Sequence, residues 1–480
     1  MSIVVEDIQM HVLNMRTRFP FKYGIASLVA LPHLFVRAEV QVNGTKAVGI
    51  TSEGLPPKWF TKNPDTRFET DLEAMLEVIS KAVTFACESD EAETVFDLWM
   101  RIYEAQANWA ESTPHPPLLW GFGVSLVERA LIDAFCRVTG QTFHQAVHKN
   151  ALGIRLGAVH DELGQVLPGD LLPQAPLSVN VRHTVGLADP LTAADVPSGE
   201  ELDDGLPYTL EENIQHYGLT HLKIKLCGDS EQDLSRLTCI AGLMENQPSC
   251  AFTLDGNEQY TEVDPFRELW SSIVADGDLE PFMRGLIFVE QPLHRDVALS
   301  DDARDVLLAW QDRPPMIIDE SDSGLHVGRD ALDTGYVGTS HKNCKGVFKG
   351  IANACLMESR RRADPQGRYV LSSEDLAGVG PVAMIQDLAV IATLGITHSE
   401  RNGHHYFAGL SMYPQAIQKA VLSHHGTLYR RHDRGFPTLD VRDGRVDLTT
   451  VLAAPFGYGF DMDTTQFTSL SDWSADSLAL

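Results

Sequence analysis

Cysteine is scarce in this chain. Seven occur in 480 residues, none in a CxxC pair, which argues against a disulfide framework or a zinc knuckle and fits a reducing, cytoplasmic setting. Apolar runs are short as well. None reaches the roughly 18 residues of a membrane span, and Glu6 and Asp7 interrupt the segment that a signal peptide would keep apolar. Basic charge is in deficit, with 38 Lys and Arg against 66 Asp and Glu, a formal charge of −28. That balance leaves no basic stripe for nucleic-acid phosphates and disfavours anionic lipid. No nucleic-acid or membrane partner is expected, and an anionic substrate would need a local cation to attract it. Low-complexity tracts are missing too. The 44% apolar and 22% charged residues are ordinary for a folded globular chain.

What is present divides into three stretches: 1–150, 177–400 and 401–480. The first reads as an α+β module. Leu34, Val36, Ala38, Val40 and Val42 alternate as a strand that ends in the hairpin dipeptide Asn43-Gly44. Thr70 to Glu73 has capping-box spacing before an apolar face of Leu72, Met75, Leu76, Ile79 and Val83. A second helix repeats that face from Val95 to Tyr103. A third turns Val124, Val127, Leu131 and Phe135 inward, with Asp133 and Arg137 expected as an outer i,i+4 pair.

Between 177 and 400 stand eight short apolar runs, each ending in a polar residue and followed by a helical stretch: LSVNVRHT, THLKIKL, CAFTLDGN, GLIFVEQP, PMIIDES, GYVGTSHK, RYVLSSED and ITHSE. Eight strand-helix units predict an α/β fold of the (β/α)8 barrel type, with its chemistry at the strand C-termini. In the last stretch, FPTLDVRDGRVDL is expected to form a small hairpin returning to the first module.

The residues that end the runs carry the signal. Asp255, Glu290 and Asp319 close three successive ones. A single carboxylate at such a place often caps the next helix. Three delivered to one barrel mouth repel each other unless a cation lies between them, and all-oxygen ligation suits Mg2+. One unit earlier, Lys223 and Lys225 share a strand face and point into the mouth. Lysine there is costly unless it serves charge or proton transfer. Across the ring the sixth run ends Ser340-His341-Lys342. A divalent metal flanked by cationic bases suggests removal of a proton next to a carboxylate, the metal stabilising the resulting enediolate.

LKIKL, FTLDGN, FVEQP and IIDES, in that order and near that spacing, resemble the enolase superfamily in its mandelate racemase/muconate lactonizing enzyme branch. SLVERALIDAF resembles the branch's helix leading into the barrel, and FPTLDVRDGRVDL with PFGYGFDMD its C-terminal return to the capping domain. The resemblance implies a barrel with an N-terminal α+β cap completed by the C-terminal segment. It implies Asp255, Glu290 and Asp319 as Mg2+ ligands, Lys225 as a base, and Lys223 as the group neutralising a small-molecule carboxylate substrate. Asn257 and Glu320 would support the ligands from behind. The implied activity is isomerisation, racemisation, epimerisation or elimination through α-proton abstraction.

Departures from the family pattern leave alternatives open. The sixth run has only Lys345-Gly346 where a Gly-Gly pair is usual, so Lys342 is taken as the second base with His341 as the alternative. The seventh run ends in Ser372-Ser373-Glu374 with no histidine. Ser373, Glu374 and Glu400 are candidate substrate contacts; His398, His404 and His405 are expected to be hydrogen-bonding neighbours. An acid-sugar dehydratase of the same superfamily is one alternative, and an inactive binding or scaffold member another. The acidic segment 186–208 is expected as a lid favouring a cationic or hydroxyl-rich distal group. Oligomeric state stays open, a homo-oligomer included.

Overall fold

The computed structural model describes residues 2–480 apart from 246 and 248. It starts with a cap. Strand β1 (Ile3–Tyr23) runs antiparallel to β2 (Ala26–Val42), and β2 to β3 (Thr45–Gly54). Asn43 and Gly44, both at positive φ (51° and 76°), make the tight turn that the dipeptide predicts. Four helices follow: α1 (Pro57–Thr61), α2 (Phe68–Glu88), α3 (Val95–Ala110) and α4 (Pro117–Thr139).

Helix α4 lies so close to β3 that a Cβ on Gly49 would stand 1.9 Å from Ala130 O. Contact on all sides leaves this helix no outer face, which corrects one expectation. Asp133 is buried, not outside; it accepts from Ile50 N at 2.9 Å, Arg137 Nε at 2.9 Å and Tyr458 OH at 2.8 Å. Thr70 is not a cap either, because α2 begins at Phe68 and encloses it.

The eight runs form eight strands: β4 (Ser178–Val185), β5 (His221–Lys225), β6 (Ala251–Asp255), β7 (Leu286–Glu290), β8 (Met316–Ile318), β9 (Gly338–His341), β10 (Val370–Ser373) and β11 (His398–Arg401). They pair in parallel in the order β10-β9-β8-β7-β6-β5-β4-β11, curled into a barrel. No ladder joins β10 to β11. Their ends meet instead through Ser373 Oγ and Ser399 Oγ at 2.8 Å and through Asp375 N donating to Glu400 at 2.9 Å.

The C-terminal return takes a different route from the one expected. After the pair β12 (Tyr429–Arg431) and β13 (Pro437–Leu439), the turn at Asp443-Gly444 sends β14 (Arg445–Asp447) antiparallel onto barrel strand β4. The cap is completed later, by β15 (Thr468–Ser469) on β1. The FPTLDVRDGRVDL segment thus belongs to the barrel side, because its Val446 pairs with Val179 at the start of β4. Among the described residues no helix is long and apolar enough to cross a membrane.

Candidate active site

Strand register sets the site. Lys225 is level with Asp255, and Asp255 with Glu290. Asp319 follows the end of β8 by one residue. Period-two alternation keeps Lys223 and Lys225 on one face, and both are buried inside the barrel. On β9 the same alternation separates Ser340 and Lys342 from His341. Ser340 Oγ and Lys342 Nζ donate to Asp319 at 2.5 and 2.6 Å, whereas His341 faces outward, bonded to Asn343 and packed on Gly350. Burial lowers His341 to about 4.

The two lysines of β5 differ in their partners. Lys223 Nζ donates to Glu290, Glu374 and Glu400 at 2.8, 2.8 and 3.0 Å, so its three N–H groups are all used, and Asp255 Oδ2 also lies 3.0 Å away. Lys225 makes one hydrogen bond, to Asp255 at 2.5 Å. Lys342 likewise has one, and its ammonium lies 4.2 Å from the Trp59 ring centroid.

Ammonium groups hold the three strand-end carboxylates, and among the described residues no three His, Cys, Asp or Glu side chains converge as a ready-made metal cluster. The donor set nevertheless fits a hard divalent cation. Glu290 is fully buried and its Oε2 has no hydrogen-bond partner. Burial and the nearby charges of Asp255 and Glu374 push its carboxyl well above the usual range, a tension that added positive charge would relieve. Asp319 behaves differently. Burial would raise it, but the Lys342 and Lys345 ammoniums hold it well below the ordinary value.

Asn257 and Glu320 sit beside the ligand candidates. Asn257 N donates to Asp255 at 2.9 Å, and its carbonyl accepts from Lys62 of the cap at 2.6 Å. Burial, with Asp319 and Glu258 nearby, raises Glu320 to about 7. A small cavity of about 30 Å³ lies above the strand ends, bordered by Lys223, Lys225, Asp319, Lys342, Glu400 and Asn402. The cap roofs it with Phe21, Tyr23 and Leu28 from the β1–β2 hairpin and with Trp59 from α1.

Other candidates lie farther from the cavity. Glu374 is beneath it, paired with Arg182 at 2.5 Å, and Ser373 is spent on Ser399. His404 and His405 pack against His183, and His398 stacks on His221 at the opposite end of β11; none of them borders the cavity. Acidic residues of 186–208 are also engaged: Asp204 pairs with Arg18 at 2.5 Å and Asp203 with Arg434 at 2.6 Å.

Four contributors escaped the sequence reading. Arg182 sits at the barrel centre, a cation on a strand otherwise read as core. Lys345 donates to Asp319 at 3.1 Å and to Ser340 at 2.8 Å, from a spacing that gave no signal of its own. Gln291 accepts from Asp319 N at 2.8 Å and so fixes the turn after β8; its place beside Glu290 was the available clue. Trp59 comes from the cap, where Arg295, paired with Glu258, donates to the carbonyls of Trp59 and Phe60 at 3.0 and 2.7 Å.

No family model matches the sequence, and no curated protein does. Solved structures share the fold over nearly the whole chain. One is a mandelate racemase/muconate lactonizing protein from Herpetosiphon aurantiacus, 15% identical, covering 96% of this chain and 99% of that one with a TM-score of 0.60. Another is the muconate lactonizing enzyme from Pseudomonas fluorescens complexed with muconolactone, 13% identical over 97% and 99% with a TM-score of 0.61. A third is the dipeptide epimerase from Enterococcus faecalis V583 complexed with Mg and L-Leu-L-Tyr, 14% identical over 95% and 99% with a TM-score of 0.60. The fold is therefore that of the enolase-like capped barrels.

Proposed function

We propose that this chain is a Mg2+-dependent enzyme of the mandelate racemase/muconate lactonizing branch of the enolase superfamily. It would abstract the proton next to the carboxylate of a small molecule and lead to isomerisation, racemisation, epimerisation or elimination. One observation carries the reading. Lys225 closes β5 and Lys342 directly follows β9, strands four places apart in a ring of eight, and the two border one cavity from opposite sides. Two lysines so placed can serve opposite faces of one carbon, one as the neutral amine that takes a proton and the other as the ammonium that returns one.

Asp255, Glu290 and Asp319 would hold the cation, which when bound supplies positive charge against which negative charge on the substrate carboxylate accumulates. Lys225 takes or returns the proton on one face and Lys342 on the other. Lys223 has no N–H left for a substrate, so it acts as the counter-ion that keeps Glu290, Glu374 and Glu400 together. The cap excludes water by roofing the cavity. A dehydratase with a seventh-strand histidine acid has less support, since among the described residues no histidine borders the cavity.

Incubation with Mg2+ and a carboxylic acid library in D2O tests the proposal, with deuterium at the α carbon read by mass. Incorporation into at least one acid, lost in Lys225→Ala, is expected. No incorporation into any acid, with Mg2+ binding absent by calorimetry, would favour the inactive scaffold.

A further inference from the structure

Strand β1 leaves its ladder just before the cap hairpin turns. Arg16 pairs with Ala30 and Phe21 with Leu28, so residues 17–20 stand opposite Val29 alone. A bulge bends the strand that carries it and re-aims its side chains. This one sends Arg18 and Phe19 onto the barrel side.

Every N–H of the Arg18 guanidinium is taken there. Nε and Nη2 donate to the two Asp204 oxygens at 2.5 and 3.0 Å, and Nη2 also to Leu206 O at 3.1 Å. Nη1 donates to Pro207 O at 3.2 Å and to His405 O at 2.6 Å. The side chain is 3% exposed. Phe19 packs beside it on Tyr208, His405 and Tyr406, with ring centroids 4.8, 4.9 and 5.2 Å away. Phe21, which roofs the cavity, stacks on Tyr406 at 4.0 Å.

The segment that receives Arg18 is itself held. Asp189 accepts from Gly186 N at 2.7 Å and from Tyr406 OH at 2.6 Å. Arg236 donates to the carbonyls of Gly186 and Asp189 at 2.7 and 3.0 Å, and His432 Nε2 lies 3.1 Å from Gly205 O. No residue of 186–208 borders the cavity, which overturns the expectation of a lid favouring a cationic or hydroxyl-rich distal group.

We infer that Arg18 is a positioning residue: it latches the β1–β2 hairpin to segment 186–208, and the latch sets where Phe21 and Tyr23 stand over the cavity. Segment 186–208 is the seat of the roof. Beyond the bulge the hairpin has only the pairs Phe21–Leu28, Lys22–Ser27 and Tyr23–Ala26. A two-stranded ribbon so short does not hold its own position in water. Lifting it from the barrel would take from Asp204 and three carbonyls the donor they share, and leave the guanidinium without acceptors. The latch needs neither metal nor substrate, so its test is independent of the reaction proposed above.

Hydrogen-deuterium exchange of the full chain, read by mass over peptides without any ligand, tests the inference. In Arg18→Leu, amides of 17–28 and 204–208 should exchange about tenfold faster or more, with β3 and α4 unchanged. Asp204→Asn should loosen the same two segments, and the double variant should exchange no faster than Arg18→Leu alone. Arg18→Lys keeps the charge with three donors in place of five, so it should recover part of the protection. It also keeps the test available if the leucine variant does not fold. Trp59, under the same roof, gives a second readout. Acrylamide quenching of the fluorescence that Trp59→Phe removes should rise in Arg18→Leu and fall back in Arg18→Lys. Unchanged exchange over 17–28, or equal acceleration across β3 and α4, overturns the inference. Unchanged quenching of Trp59 beside faster exchange overturns it as well, because the roof would then stand without the latch.

Discussion

The indole ring of Trp59 covers Lys342 Nζ at 4.2 Å, so a cap residue holds the charge of a barrel residue. An ammonium over an indole face gains about 0.5–2 kcal/mol, more when desolvated, and Lys342 is 4% exposed. Replacing Trp59 by Leu keeps the bulk and removes the quadrupole. Deuterium exchange on the face served by Lys342 should fall by about fivefold to tenfold, with the face served by Lys225 little changed. An equal fall on both faces would mean that the ring acts on the whole roof and not on Lys342.

Strand alternation separates Lys342 from His341, and stereochemistry can read that separation. Lys342→Ala should stop exchange on one stereoisomer of the substrate and Lys225→Ala on the other. His341→Gln should leave both intact, because the imidazole faces Asn343 and Gly350 outside the cavity. Loss of one exchange reaction in the histidine variant would move the second base to His341.

Glu290 is the sharpest test of the metal site. Glu290→Gln preserves the shape but removes the charge from the one candidate ligand with a free buried oxygen. Mg2+ affinity, read by calorimetry, should drop by at least about tenfold, with unfolding in urea still cooperative. Unchanged affinity would place the cation elsewhere.

Acid should loosen the region where segment 186–208 meets the cap. His183 Nδ1 lies 3.1 Å from His404 Nε2, and His405 packs on His183 at 4.8 Å. Tyr217 and Tyr406, Arg18 and Asp189 face the same cluster. Burial lowers all three histidines, His404 to about 3 with help from His405 and Arg401. Unfolded histidines titrate near 6.5, so the unfolded chain binds more protons below that pH. Stability is therefore full above about 6.5 and declines as pH falls from there, for His404 towards 3 and by up to about 1.4 kcal/mol per pH unit. Glu53, Glu128 and Glu320, raised to about 7 by burial, gain protons in the folded state and act oppositely in the same window. The measurement is thus a comparison: between pH 8 and 5, Tm should fall less steeply for His404→Gln than for the parent. Identical slopes would remove His404 from the account.

Local pattern was enough for much of the fold. Eight apolar runs with polar ends could only be buried on both faces, and all eight became barrel strands. Asn43-Gly44 turned where its backbone preference dictates. Period two put Lys223 and Lys225 on one face, and the carboxylates that close β6 and β7 came out level. Those features depend on neighbours a few residues away, and the chain records them directly.

Long-range packing decided the rest. Asp133 looked like half of a surface pair because i,i+4 spacing is blind to what covers a helix; β3 and Tyr458, far apart in sequence, bury it. Thr70 has cap spacing, yet α2 starts two residues earlier. The acids of 186–208 suggested a charged lid until arginines from the cap and the C-terminal stretch paired with Asp204 and Asp203. Within the site, sequence alone named the cations and anions, but their division of labour is three-dimensional. Lys223 and Lys225 are the same residue on the same strand face. Only the closing of the ring, which brings Glu374 and Glu400 from β10 and β11 onto Lys223, saturates one ammonium and leaves the other open to the cavity.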